Sequence, residues 1–181
     1  MRTGLGRLVT RTIVLVAAVG LSAFVGAVMM GKLQAIYQGI ARLAGTARDM
    51  GTVNFAALQR RTTPNDALLC PPGHCPNAKP DWEAPNFAVT PADLLARVAT
   101  IALAEPNTGA LYQHPGSDLR LRFVQYSRIM RFPDTIDVEV VPVGDDKSTL
   151  AIYSRSLVGR SDFGVNRARI ARWMAALERS F

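Results

Sequence analysis

The sequence is poor in the residues that most often carry chemistry, with two cysteines and two histidines among 181 residues. It also lacks a phosphate loop, a Gly-x-Ser-x-Gly elbow and a His-Glu-x-x-His motif, which excludes the enzyme classes defined by those motifs. A hydrolase that works through carboxylates needs no motif, so Asp134, Asp137 and Asp162 leave that class open. We predict no catalytic residue, no metal and no cofactor, and interpret the chain as non-enzymatic.

Acidic residues are missing at the N-terminus, where residues 1–32 hold four basic residues and no acidic one. The whole chain has a formal net charge of +7, but residues 91–181 are nearly balanced, with twelve basic and ten acidic residues. An excess confined to the N-terminus is typical of a targeting or orientation signal rather than of a nucleic-acid-binding surface. The sequence therefore predicts no nucleic-acid partner.

Charge is absent altogether from the 19-residue run Ile13–Gly31. A helix of that length nearly crosses a hydrocarbon core of about 30 Å. A soluble helix is seldom apolar on every face, whereas a cleaved signal peptide is compatible with the small residues of Val25–Ala27. We predict an uncleaved transmembrane anchor within residues 1–32, because the apolar run continues past that site through Met30.

Basic residues flank this run unevenly, with Arg2, Arg7 and Arg11 before it and a more dilute set after it. By the positive-inside rule, the N-terminus is expected in the cytoplasm and the C-terminal domain outside it. Three small residues recur every four positions within the run: Ala18, Ser22 and Gly26. This spacing allows self-association of two membrane helices, but alanine and glycine are common in any membrane helix, so both interpretations stay open.

The rest of the chain is predicted to form two regions, an amphipathic stalk or interfacial helix with a linker over residues 33–63 and a domain over residues 64–181. Between Gly51 and Ala88 the chain is rich in proline and has no helical period. Such a composition indicates an extended connector without a core strand. The domain is therefore expected to have its regular structure after this connector.

Regular patterns begin at Thr90, which is expected to cap a helix with Pro91 at its first position. Four strand candidates follow: a short one at residues 109–115, two that alternate apolar and charged residues, and one with apolar residues on both faces. Helical spacing returns from Val165 to Phe181. The predicted fold class is α+β. It comprises a transmembrane helix and an antiparallel four-stranded meander that is flanked by an N-terminal and a C-terminal helix.

The two cysteines stand in the stretch CPPGHC, residues 70–75. Haem attachment requires a histidine after the second cysteine, and thioredoxin-like redox chemistry requires a shorter spacing, so both are excluded. Cys70, His74 and Cys75 could supply three zinc ligands, but two prolines stiffen the loop and His114 is distant in sequence. We predict a structural disulfide between Cys70 and Cys75 in an oxidising compartment, with metal binding as the alternative.

Two arginine-rich stretches, residues 127–137 and 154–167, suggest a binding site for an anion or a partner. Its candidate residues are Arg128, Arg131, Arg155, Arg160, Ser161, Asp162, Asn166 and Arg167. The alternative is structural: Asp162 caps the C-terminal helix, and the arginines form ion pairs across the sheet with Asp134, Asp137 or Glu139. Both interpretations stay open.

Three stretches carry a family resemblance: YSRSLVGRSDFGVNRARI, SRIMRFPDTIDVEV and CPPGHCPNAKPD. Over residues 64–181 the chain resembles the family catalogued as domain of unknown function 1499, whose members occur in bacteria and plastids, often behind a membrane span or signal. The resemblance implies one intact domain in a membrane-associated setting and names no substrate. For a bacterial member, the expected location is the inner membrane with the domain in the periplasm.

Our functional hypothesis is a non-enzymatic, membrane-anchored periplasmic module that binds or assists a partner membrane or envelope protein. The alternative is an envelope enzyme or anionic-ligand-binding protein that uses the Arg/Asp cluster near the start of the C-terminal helix.

Overall fold

The structure is a computed structural model that describes residues 19–29, 31–32, 49–111 and 119–181. It divides into two compact units, Met1–Thr46 and Ala47–Phe181, which are described separately.

The first unit contains helical residues 19–29 and 31–32, whose side chains are exposed. A membrane span needs about 20 consecutive apolar helical residues. Within the described part of the chain, no helix is long and apolar enough to cross a membrane. The predicted transmembrane helix is corrected accordingly. Residues 13–18 and Met30 of the apolar run lie outside the described residues, and with them Ala18 of the small-residue spacing. Residues 33–48 of the predicted 33–63 stalk also lie outside them.

The second unit is built on a six-stranded mixed sheet with the order β2-β1-β6-β5-β4-β3. Only the β1–β2 pairing is parallel. The strands are β1 Asp66–Cys70, β2 Trp82–Glu83, β3 Thr108–Leu111, β4 Arg120–Tyr126, β5 Pro133–Gly144 and β6 Lys147–Ser156. The predicted four-stranded meander is therefore wrong in size. Strands β3 to β6 are adjacent, as their alternating patterns indicate, but β1 and β2 extend the sheet beyond β6.

Strand β1 comes from the connector that was expected to hold no core strand. Its sequence, DALLC, is apolar at four successive positions, and residues 67–70 are all buried. A strand covered on both faces has such a continuous apolar run instead of an alternation. Its partner strand β6 is far away in sequence, since Leu68 pairs with Tyr153, so no local pattern indicates the pairing.

Two α-helices cover one face of the sheet: α1, Pro91–Ala104, and α2, Val165–Glu178. Helix α1 begins as predicted, since the Thr90 side chain accepts a hydrogen bond from the Asp93 amide and Pro91 opens the first turn. The apolar stripes of both helices pack on alternate residues of the central strands. This helix-side core includes Leu94, Val98, Phe123, Ile136, Leu150, Ile152, Ile170, Trp173 and Leu177.

The opposite face of the sheet is covered by the chain that precedes and follows β1. A second apolar cluster forms there from Leu68, Cys70, Ala151 and Tyr153 of the sheet and from Val53, Phe55, Leu58, Cys75 and Ala78. A 3-10 turn at Phe55–Ala57 lies in this layer. Residues 49–58 thus pack on the domain. We call this the connector face and the other the helix face.

The register places several loops at one end of the sheet. Tyr126 pairs with Pro133, and Asp134 pairs with Ser156, so the β4–β5 turn and the β6–α2 loop emerge together. The α1–β3 loop joins them, because Asn107 accepts a hydrogen bond from the Tyr126 amide. The β5–β6 hairpin around Val143 lies at the opposite end.

Candidate functional site

A charged residue, Arg169, lies on the apolar stripe of α2 and is 1% exposed. Its Nη2 donates to Asp134 Oδ2 at 2.7 Å, and its Nε donates to Gln125 Oε1 at 2.6 Å. Its Nη1 donates to Ser154 Oγ and Asn166 Oδ1, each at 2.6 Å. A charged pair this deeply buried is tolerated only when its polar atoms are hydrogen-bonded. The network therefore joins α2 to strands β4, β5 and β6 and has a structural role.

Asn166 joins this network to the loop before α2. Its Nδ2 donates to Ser156 Oγ at 2.9 Å, to Asn65 O at 3.1 Å and to Asp162 Oδ2 at 2.8 Å. Asp162 also accepts hydrogen bonds from the amides of Gly164, at 3.0 Å, and Asn166, at 2.8 Å. The Asp162 carboxylate thus caps the first turn of α2. This geometry matches the structural interpretation of Asp162 and fixes the β6–α2 loop.

On the connector face, Arg122 and Arg155 lie on either side of the buried Asp137. Arg122 Nε donates to Asp137 Oδ1 at 2.8 Å, and Arg155 Nη2 is 3.5 Å from Asp137 Oδ2. Burial raises the pKa of the Asp137 carboxyl, although both arginines act to lower it. Burial also lowers the pKa of the Arg155 guanidinium. Arg122 reaches Asp49 as well, and Arg155 donates to Gly51 O at 2.6 Å, so these pairs tie residues 49–51 to the sheet.

The Cys70–Cys75 loop covers the same face. The two sulfurs lie at bonding distance, with Cα atoms 6.4 Å apart, and the predicted disulfide pair is confirmed. The loop places His74 Nε2 at 3.6 Å from Glu139 Oε2, and both atoms are buried without a hydrogen-bond partner among the described residues. Glu139 also pairs with Arg120 through Oε1 at 3.1 Å. The disulfide therefore holds the connector against the charged side chains of β4 and β5, among them Arg120 and Glu139.

Replacing both cysteines by serine is expected to lower the free energy of unfolding by about 2 kcal/mol, because the closed loop is short. The domain should still fold, and the loss of order should centre on residues 70–78, which the sulfur bridge restrains. Urea unfolding and amide hydrogen exchange measure the two effects, with the reduced wild-type chain as the matched control. Protection lost uniformly across the sheet would contradict this prediction.

An exposed apolar and basic surface lies at the end of the sheet where the β4–β5 turn and the β6–α2 loop meet. We define the loop-end surface by Arg128, Ile129, Arg160, Phe163 and Val165. Phe163 is 96% exposed, Ile129 61% and Val165 48%. Exposed apolar side chains gathered at one end of a domain are candidates for a contact surface.

The eight candidate residues predicted from the sequence do not form one site. Arg128, Arg160 and Ser161 are exposed on the loops, and Arg155 lies on the connector face. Asp162 and Asn166 form the cap described above. Arg131 Nη1 donates to Asn107 Oδ1 at 2.6 Å, and Arg167 pairs with Asp81 at 2.8 Å while stacking on Trp82. The structure thus brings Arg128 and Arg160 to the same end and separates them from Arg155. A binding role for the eight stays a prediction.

The sequence-based prediction missed Arg169 and Phe163. Arg169 occupies the position between Asn166 and Ile170 on the buried stripe of α2. A charge within an apolar stripe is a signal for a buried ion pair, so the helical period could have identified it. Phe163 has no such signal, because its exposure is set by the loop conformation.

The comparisons with known proteins agree with the sequence resemblance. Among the described residues, no group of three or more histidine, cysteine, aspartate or glutamate side chains could hold a metal ion. No curated protein matches the chain. The model of the family described as "Protein of unknown function (DUF1499)" matches residues 55–177, which is more than half of the chain and includes all six strands and most of α2. The chain therefore belongs to this DUF1499 family.

Proposed function

We propose that the domain is a non-enzymatic binding or accessory module of the cell envelope, and that it contacts its partner through the loop-end surface. The observation that carries this proposal is Phe163, a bulky apolar side chain that is 96% exposed at the tip of an ordered loop. Leaving such a side chain in water forgoes about 1.5–3 kcal/mol of burial. The Asp162 cap restrains the backbone of this loop, which supports a role for the exposed Phe163 in contacting a partner.

The charged side chains of the domain interior support binding rather than catalysis. Arg169, Asp134 and Asp137 are buried in ion pairs with groups of the same domain. A general acid or base needs a proton path to a substrate. The alternative of an envelope enzyme or anionic-ligand-binding protein requires the Arg/Asp cluster to converge, and Arg155 lies on the other side of the sheet from Asn166.

The disulfide supports a place outside the cytoplasm, and we propose the periplasm, on the inner-membrane side. Cysteine pairs of this kind persist in oxidising compartments and are kept reduced in the cytosol. In cells trapped with an alkylating reagent, we expect Cys70 and Cys75 to be labelled only after reduction. Labelling of both thiols without reductant would place the domain in the cytoplasm and contradict this location.

Photo-crosslinking tests the contact surface directly. A photoreactive phenylalanine analogue replaces Phe163 in the full chain, and the matched control carries it at Val143 on the opposite hairpin, which is 49% exposed. We expect irradiated cells to give discrete adducts from position 163, of protein or of lipid, and few from position 143. Equal adduct yields at the two positions would overturn the proposed contact surface.

A further inference from the structure

The backbone at Phe163 is held in its loop conformation by hydrogen bonds. This backbone is left-handed, with φ of 54°, which is uncommon for an aromatic residue. The residues on both sides are fastened, because the Ser161 hydroxyl accepts from the Phe163 amide at 3.3 Å and Asp162 accepts from the Gly164 amide at 3.0 Å. The loop backbone therefore places the Phe163 side chain in solvent, where the ring is 96% exposed.

The unpaired charge beside this ring is positive. Arg128 and Arg160 are exposed, and neither has a hydrogen-bond or ion-pair partner among the residues that the structure describes. The described carboxylates at this end are all engaged: Asp66 by Arg60, Glu105 by Arg172, Asp134 by Arg169, and Asp162 by the α2 amides. The hydrogen bond from Arg172 also lowers the pKa of the Glu105 carboxyl. The loop-end surface thus combines apolar tips with free cations of one sign.

We infer that the loop-end surface docks on an anionic phospholipid bilayer, with Phe163 inserted among the headgroups and Arg128 and Arg160 against the lipid phosphates. A bilayer supplies a plane of negative charge directly above an apolar layer, which matches an exposed apolar ring and two exposed arginines at the same end of the domain. It also accepts a single ring without a shaped pocket, whereas a protein interface requires shape complementarity and paired charges. The inference rests on the proposed function, since it names the partner of the same surface.

The opposite end of the sheet provides an internal contrast. The β5–β6 hairpin exposes Val143 next to two carboxylates, Asp145 and Asp146, and one lysine, Lys147, so that its net charge is negative. An anionic bilayer repels such a tip, although its apolar side chain is about as exposed as Val165. The structure thus offers two exposed hairpin or loop tips that differ in the sign of the neighbouring charge.

The test uses the full chain with Phe163→Trp and, as the matched control, the full chain with Val143→Trp. Each is mixed with vesicles of phosphatidylcholine alone or of phosphatidylcholine with phosphatidylglycerol, and the emission of the wild-type chain is subtracted. We expect the tryptophan at 163 to shift to the blue and to be quenched by brominated acyl chains on anionic vesicles only. We expect Arg128→Gln and Arg160→Gln each to weaken this docking about fivefold without changing the melting temperature.

Each outcome decides between the proposals. A tryptophan at 163 that does not shift, or that responds equally on neutral vesicles, overturns bilayer docking, and so does an equal response at position 143. If position 163 then gives only protein adducts in the crosslinking experiment, the proposed contact surface stands with a protein as partner. If it gives no specific adduct either, both proposals fail.

Discussion

Replacing Arg169 by alanine is expected to lower the free energy of unfolding by about 3–5 kcal/mol, because it leaves the Asp134 carboxylate buried without a counter-charge. Three further acceptors, on Gln125, Ser154 and Asn166, lose a donor in the same step. Among the described residues, Arg169 is the only α2 side chain that bonds to three strands, β4, β5 and β6, and the alanine variant loses all of these bonds. Urea unfolding followed by circular dichroism measures it.

Two variants keep this prediction testable if the alanine variant does not fold. Arg169→Lys retains the charge beside Asp134 but cannot reach all four acceptors, so its loss should be intermediate. The matched control is Arg172→Ala on the same helix, whose ion pair with Glu105 at 3.0 Å is exposed on the arginine side and should contribute less than about 1 kcal/mol. Equal losses for Arg169→Ala and Arg172→Ala would contradict a buried structural network.

Replacing Trp173 by alanine is expected to cost about 3–5 kcal/mol, because it opens a cavity in the helix-side core. The indole is 2% exposed and meets Phe123 edge to face, with ring centroids 5.7 Å apart. Its Nε1 has no hydrogen-bond partner among the described residues, so the nitrogen adds little to stability. Trp173→Phe should therefore cost about 1.5 kcal/mol or less, since it keeps the ring contact and removes no hydrogen bond.

The control for the core prediction is Leu103→Ala on α1, where the side chain is 52% exposed. A surface change of this kind is expected to alter stability by about 0.5 kcal/mol or less. Thermal and urea unfolding of the three variants give the ranking directly. A Trp173→Phe variant as unstable as Trp173→Ala would contradict the prediction that the retained ring contact preserves most of the stability.

The disulfide and the helix cap were accessible from sequence because their determinants are local. The two cysteines are five positions apart across a Pro-Gly turn, which brings their side chains close together. Thr90 lies three residues from the amide that it caps. The alternation in β4 and β5 likewise reports a sheet with one apolar and one charged face. Even the ion pairs of Arg122 and Arg155 with Asp137 follow from residues on that charged face.

The number of strands and the absence of a membrane-spanning helix among the described residues could not be predicted from local patterns in the same way. Strand β1 is short and stands among prolines, and its pairing with β6 closes a loop of more than eighty residues. Hydrophobicity alone predicted a transmembrane helix, whereas no helix among the described residues is long and apolar enough to cross a membrane. The sequence also could not show how the eight candidate residues are distributed, since Arg155 and Asn166 lie on opposite faces of the sheet.

By itself, the sequence determined the elements from α1 to α2, the cysteine pair and the family, because periodicity, capping and short spacings act over a few residues. Only the tertiary structure decided that β1 is an interior strand, that Arg169 is buried and that Phe163 is exposed. Each of these depends on which distant segments lie beside the residue. A side chain such as Arg169 or Phe163 has the same local pattern in either environment, and only packing determines whether it meets protein or water.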